Sequence, residues 1–183
     1  LEPCQRFFNA LAADSYVRPH RHLRPEQAET LLMIRGRLGL ILFDADGRID
    51  ATHVLAADSA AFGFQLAAGV WHSVVALDRD CVFFEAKAGP YRALREEERA
   101  PWAPAEGSPE AGAYLQELRG LSSLAAQAGR SIENGHAGSF AANTVSAQAT
   151  KEVVEWLQKY GNARIQLNVD DAFSLKDSSF DFL

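Results

Sequence analysis

Apolar residues fall in short runs through the first half of the chain. Residues 30–35 (TLLMIR) form one run, which stops at Gly36. Residues 38–44 (LGLILFD) form a second, rich in large and β-branched side chains. It ends at Asp44-Ala45-Asp46-Gly47, a polar turn with a glycine free to adopt φ > 0. Phe62, Phe64 and Leu66 then alternate with Gly63 and Gln65. Residues 72–77 and 81–87 give two further strand-like runs, and Asp78-Arg79-Asp80 between them suits a hairpin turn. Strands this short, roughly ten residues apart, predict an antiparallel barrel or sandwich. No long helical pattern separates them, which argues against a parallel β-α-β sheet.

The pattern changes after residue 90. Residues 94–98 suit a helical turn, and Pro101, Pro104 and Pro109 force extended or turn geometry on their predecessors. Residues 110–118 predict a short helix with Tyr114, Leu115 and Leu118 on one face, packed outside the strands. Residues 121–130 continue with helical composition, and 134–138 read as a turn that includes His136. Val153, Val154, Leu157 and Tyr160 repeat at helical spacing over 150–160, with Gly161 as a stop. Residues 163–169 alternate as a half-buried strand does, and 178–183 begin another alternation.

Composition shifts at the same place. All seven prolines lie at or before Pro109, and the first 119 residues hold 12 arginines but only one lysine. Beyond Gly120 there are two arginines, three lysines and four asparagines. The expected organisation is one domain over residues 1–118 and a second segment over 119–183; a single domain with a helical tail is the alternative. The chain starts at Leu1 rather than Met, which leaves an upstream segment open. The net charge of -6 argues against a nucleic-acid partner. Cys4 and Cys81 lack metal-ligand spacing. No apolar run reaches the length of a membrane helix.

The strongest chemical pattern is His20-Arg21-His22, then Glu29, then His72. On an extended segment His20 and His22 point to one face, and a hairpin can return Glu29 beside them. Three imidazoles and one carboxylate suit one divalent transition metal ion; zinc, iron, manganese and nickel all fit the set. An octahedral ion would keep open positions for chemistry.

These residues carry a resemblance. His20-x-His22 with Glu29, and Gly69-Val70-Trp71-His72, resemble the two motifs of the cupin superfamily. That resemblance implies a small jelly-roll barrel with His20, His22, Glu29 and His72 as metal ligands. The spacing from His22 to Glu29 is longer than usual, and Ala67 and Ala76 stand where proline and asparagine are usual. Residues 15–22 (SYVRPHRH), 32–39 (LMIRGRLG), 69–72 (GVWH) and 84–91 (FEAKAGPY) are similar to the WbuC-type cupin metalloproteins. Trp102-Ala103-Pro104 with Glu106-Gly107 adds to that likeness, which covers about residues 4–118. A small anionic or sugar-derived ligand and a homodimer are expectations to test, but the likeness itself implies only a bacterial cytoplasmic location and a link to surface-polysaccharide genes, not a substrate. It does not supply a reaction.

Other residues have two readings each. Glu85 and Lys87 share a strand face, which is either the interior or solvent. If it is interior, Glu85 becomes a catalytic candidate for acid–base chemistry. Tyr91, after Gly89-Pro90, is a second catalytic candidate at the cavity mouth, or a packing residue. Arg18 shares the parity of the histidines and is either an anion-attracting rim residue or solvated. Arg21 and Trp71 point away from the ligands. Trp102 is read as lid or packing, and His53 as a surface or turn histidine.

Residues 154–163 (VEWLQKYGNA), 166–170 (QLNVD), 173–176 (FSLK) and 179–183 (SFDFL) resemble the start of the β-domain of inverse autotransporters, the intimin and invasin type. That resemblance spans about residues 122–183 and implies outer-membrane association only if the tail belongs to a complete barrel, since a barrel must close to satisfy its backbone in lipid. Three functions follow as expectations: a metal-dependent enzyme, a non-catalytic sugar-binding or sensing cupin, and a truncated secretion or adhesion module fused to a cupin.

Overall fold

The computed structural model describes residues 3–127, 132–133 and 166–169. The strands are β1 (Cys4–Leu11), β2 (Glu29–Arg35), β3 (Arg37–Phe43), β4 (Ile49–Ala56), β5 (Gly63–Leu66), β6 (Trp71–Ala76) and β7 (Cys81–Ala88), followed by the helix α1 (Ala111–Gln127) and the short strands β8 (Ile132–Glu133) and β9 (Gln166–Val169). They form two sheets, β5-β2-β7-β1-β9 and β6-β3-β4-β8. All pairings are antiparallel except β1 with β9.

This is a mainly β architecture with one α-helix, consistent with a cupin-like jelly-roll core. The expected closed barrel is not what the described residues form: no strand pairing joins one sheet to the other. The chain crosses between sheets from β2 to β3 at Gly36, whose φ of 74° is in the left-handed region. A side chain there would also meet the Asp80 carbonyl at 2.7 Å. Beside this crossing, the β2–β7 ladder slips its register between Met33 and Arg35.

Between the sheets lies the main core. Leu38, Leu40 and Leu42 of β3 face Leu31 and Met33 of β2, Phe64 and Leu66 of β5, and Cys81 and Phe83 of β7. The strand pleat explains the set, because alternate residues of each strand share one face. Glu29, Glu85 and Lys87 lie on that same inner face at its polar end: the register places Glu29 opposite Lys87, and Leu31 opposite Glu85.

The helix covers the outer face of the smaller sheet. Its buried residues Ala111, Leu115, Leu118, Ser122 and Ala125 recur at spacings of four and three, one stripe of an α-helix. Leu115 and Leu118 pack with Ile41, Phe43, Trp71 and Val75, and burial of each leucine contributes about 2 kcal/mol. The segments expected at 110–118 and 121–130 are thus joined in one helix, described as far as Gln127; residues 128–130 lie outside the described residues. A 3-10 turn spans Glu96–Glu98, where a helical turn was expected. Trp102 packs on Phe43, ring centroids 4.9 Å apart.

Among the described residues, no helix is long and apolar enough to cross a membrane. The turn at 134–138, the helix at 150–160 and the alternation at 178–183 fall outside the described residues. The strand expected at 163–169 is described only as β9.

Candidate metal centre

The histidine segment is held by main-chain bonds. The His20 amide donates to the His72 carbonyl and the His72 amide to the His20 carbonyl, both at 2.9 Å. On its other side, Arg21 N–H donates to Glu98 O and Ala100 N–H to Pro19 O, each at 2.9 Å. Residues 19–22 therefore lie as an extended rung between β6 and residues 98–100. Gly69, with φ 86°, donates its amide to the His22 carbonyl at 2.7 Å, which draws the Gly-x-x-His turn against the His-x-His pair.

These contacts converge the three imidazoles. One ring nitrogen from each of His20, His22 and His72 lies within 4.8 Å of the others, a largely buried cluster able to coordinate a metal ion. Glu29 reaches it from the opposite sheet. Its Oε1 is 2.8 Å from His22 Nε2, and its Oε2 is 3.0 Å from His72 Nε2. The donor chemistry fits a metal. The Nδ1 atoms of His20 and His72 lie 3.0 Å from the carbonyls of Arg18 and Val70, which accept only, so Nδ1 carries the hydrogen and Nε2 is left to bind. Metal–nitrogen bonds of roughly 2.1 Å require the cluster to close by side-chain shifts on the order of an ångström.

The electrostatics separate the groups. Burial and the neighbouring His72 charge push His20 down to about 3, so its ring is neutral at ordinary pH. Burial pushes His72 the same way, but the hydrogen bond and charge of Glu29 outweigh it and raise His72 above its usual value. Burial opposes ionisation of Glu29, yet its bonds to His22 and His72 and the Lys87 charge hold it well below the carboxylate range.

Glu85 and Lys87 are interior, which settles the face that period-two alternation left open. The side chain of Lys87 is 13% exposed, and its Nζ lies 2.6 Å from Glu29 Oε1 and 2.7 Å from Glu85 Oε1. Asn9 donates to the other Glu85 oxygen at 3.0 Å. Burial and the Glu29 charge raise the Glu85 carboxyl above its usual value. Burial depresses Lys87, but Glu29 and Glu85 reverse this and raise it. Lys87 was not singled out from the sequence as a site residue; the signal was its parity with Glu85 on one strand.

Other candidates lie elsewhere. Tyr91 is 67% exposed, its ring edge-on to Phe7 at 6.4 Å, and it is not brought into the cluster. Arg18 is bound to the Ala100 carbonyl by Nε at 3.2 Å and NH2 at 2.7 Å, so it is neither freely solvated nor aimed at the metal cluster. Arg21 stacks on Trp71, 4.2 Å from the ring centroid, and both point away from the ligands as expected. His53 is not a turn residue: it lies within β4, half-buried, its ring tilted 42° against Phe64 with centroids 4.7 Å apart.

Two family models match separate parts of the chain. One, described as a domain of unknown function (DUF6016), matches residues 1–55; the other, described as inverse autotransporter, beta-domain, matches residues 118–183. Among curated proteins, a putative attaching and effacing protein homolog of Escherichia coli K12 is 54% identical over 44 residues, 24% of this chain and 15% of that protein. The inverse autotransporter adhesin YeeJ of the same strain is 49% identical over 47 residues, 26% of this chain and 2% of that protein. The chain thus spans only a small part of the length of the curated relatives it matches. Among solved structures, the formate complex of Lactobacillus farciminis oxalate decarboxylase is similar at 28% identity and a TM-score of 0.36, covering 46% of this chain and 23% of that one. QdtA, a sugar 3,4-ketoisomerase from Thermoanaerobacterium thermosaccharolyticum in complex with TDP, is similar at 15% identity and a TM-score of 0.39, covering 48% and 61%.

Proposed function

We infer that residues 1–118 form a cupin-type domain holding one divalent transition metal on His20, His22, Glu29 and His72, and that it is a metal-dependent enzyme for a small sugar-derived or polysaccharide-precursor substrate. The observation that carries the metal reading is the convergence of three ring nitrogens from two distant segments within 4.8 Å, with Glu29 closing on two of them. The finer WbuC-type likeness rests on the motifs at residues 15–22, 69–72 and 84–91 and supports the fold and the metal, not the substrate.

When bound, the ion would supply Lewis acidity. The protein's own part is to orient and to move protons. Nδ1 contacts fix the rings of His20 and His72, and Glu29 ties the two sheets at their polar end. Glu85, interior and raised, is the proton carrier, acting through its carboxylate oxygens beside Lys87. Tyr91, exposed beside Phe7, is the second catalytic candidate.

Elemental analysis of the purified full chain tests the metal, with His20→Ala, His22→Ala, Glu29→Gln and His72→Ala beside it. Loss of stoichiometric metal in these variants supports the reading; unchanged metal content in all four defeats it. Turnover by the loaded protein that is lost in Glu85→Gln separates an enzyme from a non-catalytic sugar-binding cupin.

The family-model match over residues 118–183 favours a second reading for the tail alone, as the start of an inverse-autotransporter β-domain joined to the cupin part. Outer-membrane association would then require the remainder of a barrel. Recovery of a longer chain in the outer-membrane fraction tests this, and recovery only in the soluble fraction opposes it.

A further inference from the structure

β1 has an outer edge without the usual protection. It pairs with β7 along its whole length, Cys4–Leu11, with no shift of register. Its sequence, CQRFFNAL, holds no proline and a single charge, Arg6. Long, regular, weakly charged edges are templates for a further strand. The opposite edge of the same sheet, β5, is kept to four residues. In the smaller sheet, β6 is met on its outer side by His20.

The strand that meets β1 comes from the tail. Residues 166–169 (QLNV) lie parallel to it as β9, with Phe7 level with Gln166, Phe8 with Leu167, Asn9 with Asn168 and Ala10 with Val169. That register matches like with like. Phe8 packs with Leu32, Phe62 and Phe84 in the apolar cluster on the outer face of this sheet, and its level partner is apolar. Asn9, which donates to Glu85, is level with an asparagine. A slip of one residue would undo both matches. The tether through residues 128–165 makes docking intramolecular, which favours this chain's own segment over a second copy's in dilute solution.

We propose that the outer edge of β1 is a strand-docking site for an extended segment of alternating apolar and polar residues, and that its occupant is residues 166–169 of the same chain. Main-chain bonds supply the attachment, and the alternation along the edge supplies the selectivity. The docking depends neither on the metal nor on the reading of the tail. If the tail begins a β-domain, capture by β1 and incorporation into a barrel exclude each other, because a barrel strand bonds antiparallel neighbours on both its edges.

The experiment uses the full chain. Phe8→Cys is combined with Leu167→Cys, its register partner, or with Asn168→Cys, one residue off, and each double variant is oxidised in dilute solution. Level residues on adjacent strands lie roughly 5 Å apart, within disulfide reach, whereas the next residue along faces the other way. Peptide mapping should find the 8–167 bond within one chain and in large excess over the 8–168 bond. Hydrogen exchange gives a second measurement. Leu167→Pro/Asn168→Pro removes both amides from the middle of β9 and should quicken exchange within residues 7–10 by ~10-fold or more, while residues 38–42 of β3 keep their rates. Equal yields of the 8–167 and 8–168 bonds overturn the proposal. So do bonds that form only between two chains, or exchange in β1 that the prolines leave unchanged.

Discussion

The Leu23 amide donates to Glu98 Oε1 at 3.1 Å, immediately after the metal-binding candidate His22. The same carboxylate accepts the Arg95 amide on Oε2 at 3.0 Å, and the Glu98 main-chain carbonyl accepts from Arg21. One residue of the 3-10 turn thus holds the chain on both sides of His22.

Replacing Glu98 with alanine leaves the Leu23 and Arg95 amides without these acceptors and should cost about 1–3 kcal/mol. It should also weaken metal binding while every ligand stays in place. Urea unfolding and zinc competition against a chromophoric chelator measure the two effects. Equal zinc affinity in wild type and variant would remove Glu98 from its positioning role. Burial pushes the Glu98 carboxyl up, but hydrogen bonds from the Arg95 and Leu23 amides prevail and hold it below its usual value. Its contribution is therefore present above the ordinary carboxylate range and lost as pH falls through that lowered value, so the stability gap to Glu98→Gln should narrow in acid.

Metal should stabilise the fold measurably. Binding to the native state alone adds about 2.7 kcal/mol at a free metal concentration of 100 times Kd. Thermal unfolding with zinc and then with excess chelator should show a reversible fall in Tm in the wild type and a much smaller one in His72→Ala. A chelator-insensitive wild type would contradict the site.

Helix α1 packs closely on the sheet at Gly39. A methyl group there would fall 2.6 Å from Ser122 Cβ and 2.9 Å from Val75 Cγ2. Gly39→Ala should destabilise by about 1–3 kcal/mol through overpacking. Adding Ser122→Gly should recover part of the loss, as a double-mutant cycle from denaturant midpoints will show. Purely additive effects would mean that the helix moves away freely.

Burial, aided by the Asp78 charge, pushes the Cys81 thiol up to about 12. The folded state therefore favours the neutral thiol. Stability is unaffected by this group below the unfolded thiol range, then falls as pH rises from ~9 towards about 12, by at most ~1.4 kcal/mol per pH unit. Cys81→Ala should flatten that alkaline slope. In native protein at pH 8, Cys81 should resist a thiol reagent that labels it in denaturant; rapid native labelling would falsify its burial.

Much of the site was legible because its spacings are local. His20-x-His22 fixes a shared face, and Gly69 must supply a left-handed residue where the Gly-x-x-His turn begins. Glu85 and Lys87 were only half legible, since alternation gives a shared face without saying which side it is. Arg18 could not be resolved, because its partner is a carbonyl 82 residues away. β1 and β4 were not predicted as strands. β1 is apolar on both faces, with Phe7 turned inward and Phe8 outward against Phe84, so its alternation is blurred. β4 carries Ala51, Ala56, Asp50 and His53, a weak strand signature. The strand pattern left barrel and sandwich open, because spacing along the chain does not say whether the outer strands meet; the family likeness then chose the barrel.

Three of the ring nitrogens come from the edge of one sheet and the carboxylate of Glu29 from the other. An ion at that junction would act as a rivet across the mouth of the sandwich. Its departure should loosen the open end first and leave the leucine-rich end clenched, so hydrogen exchange should quicken around Glu29 and His72 well before it does at Leu40.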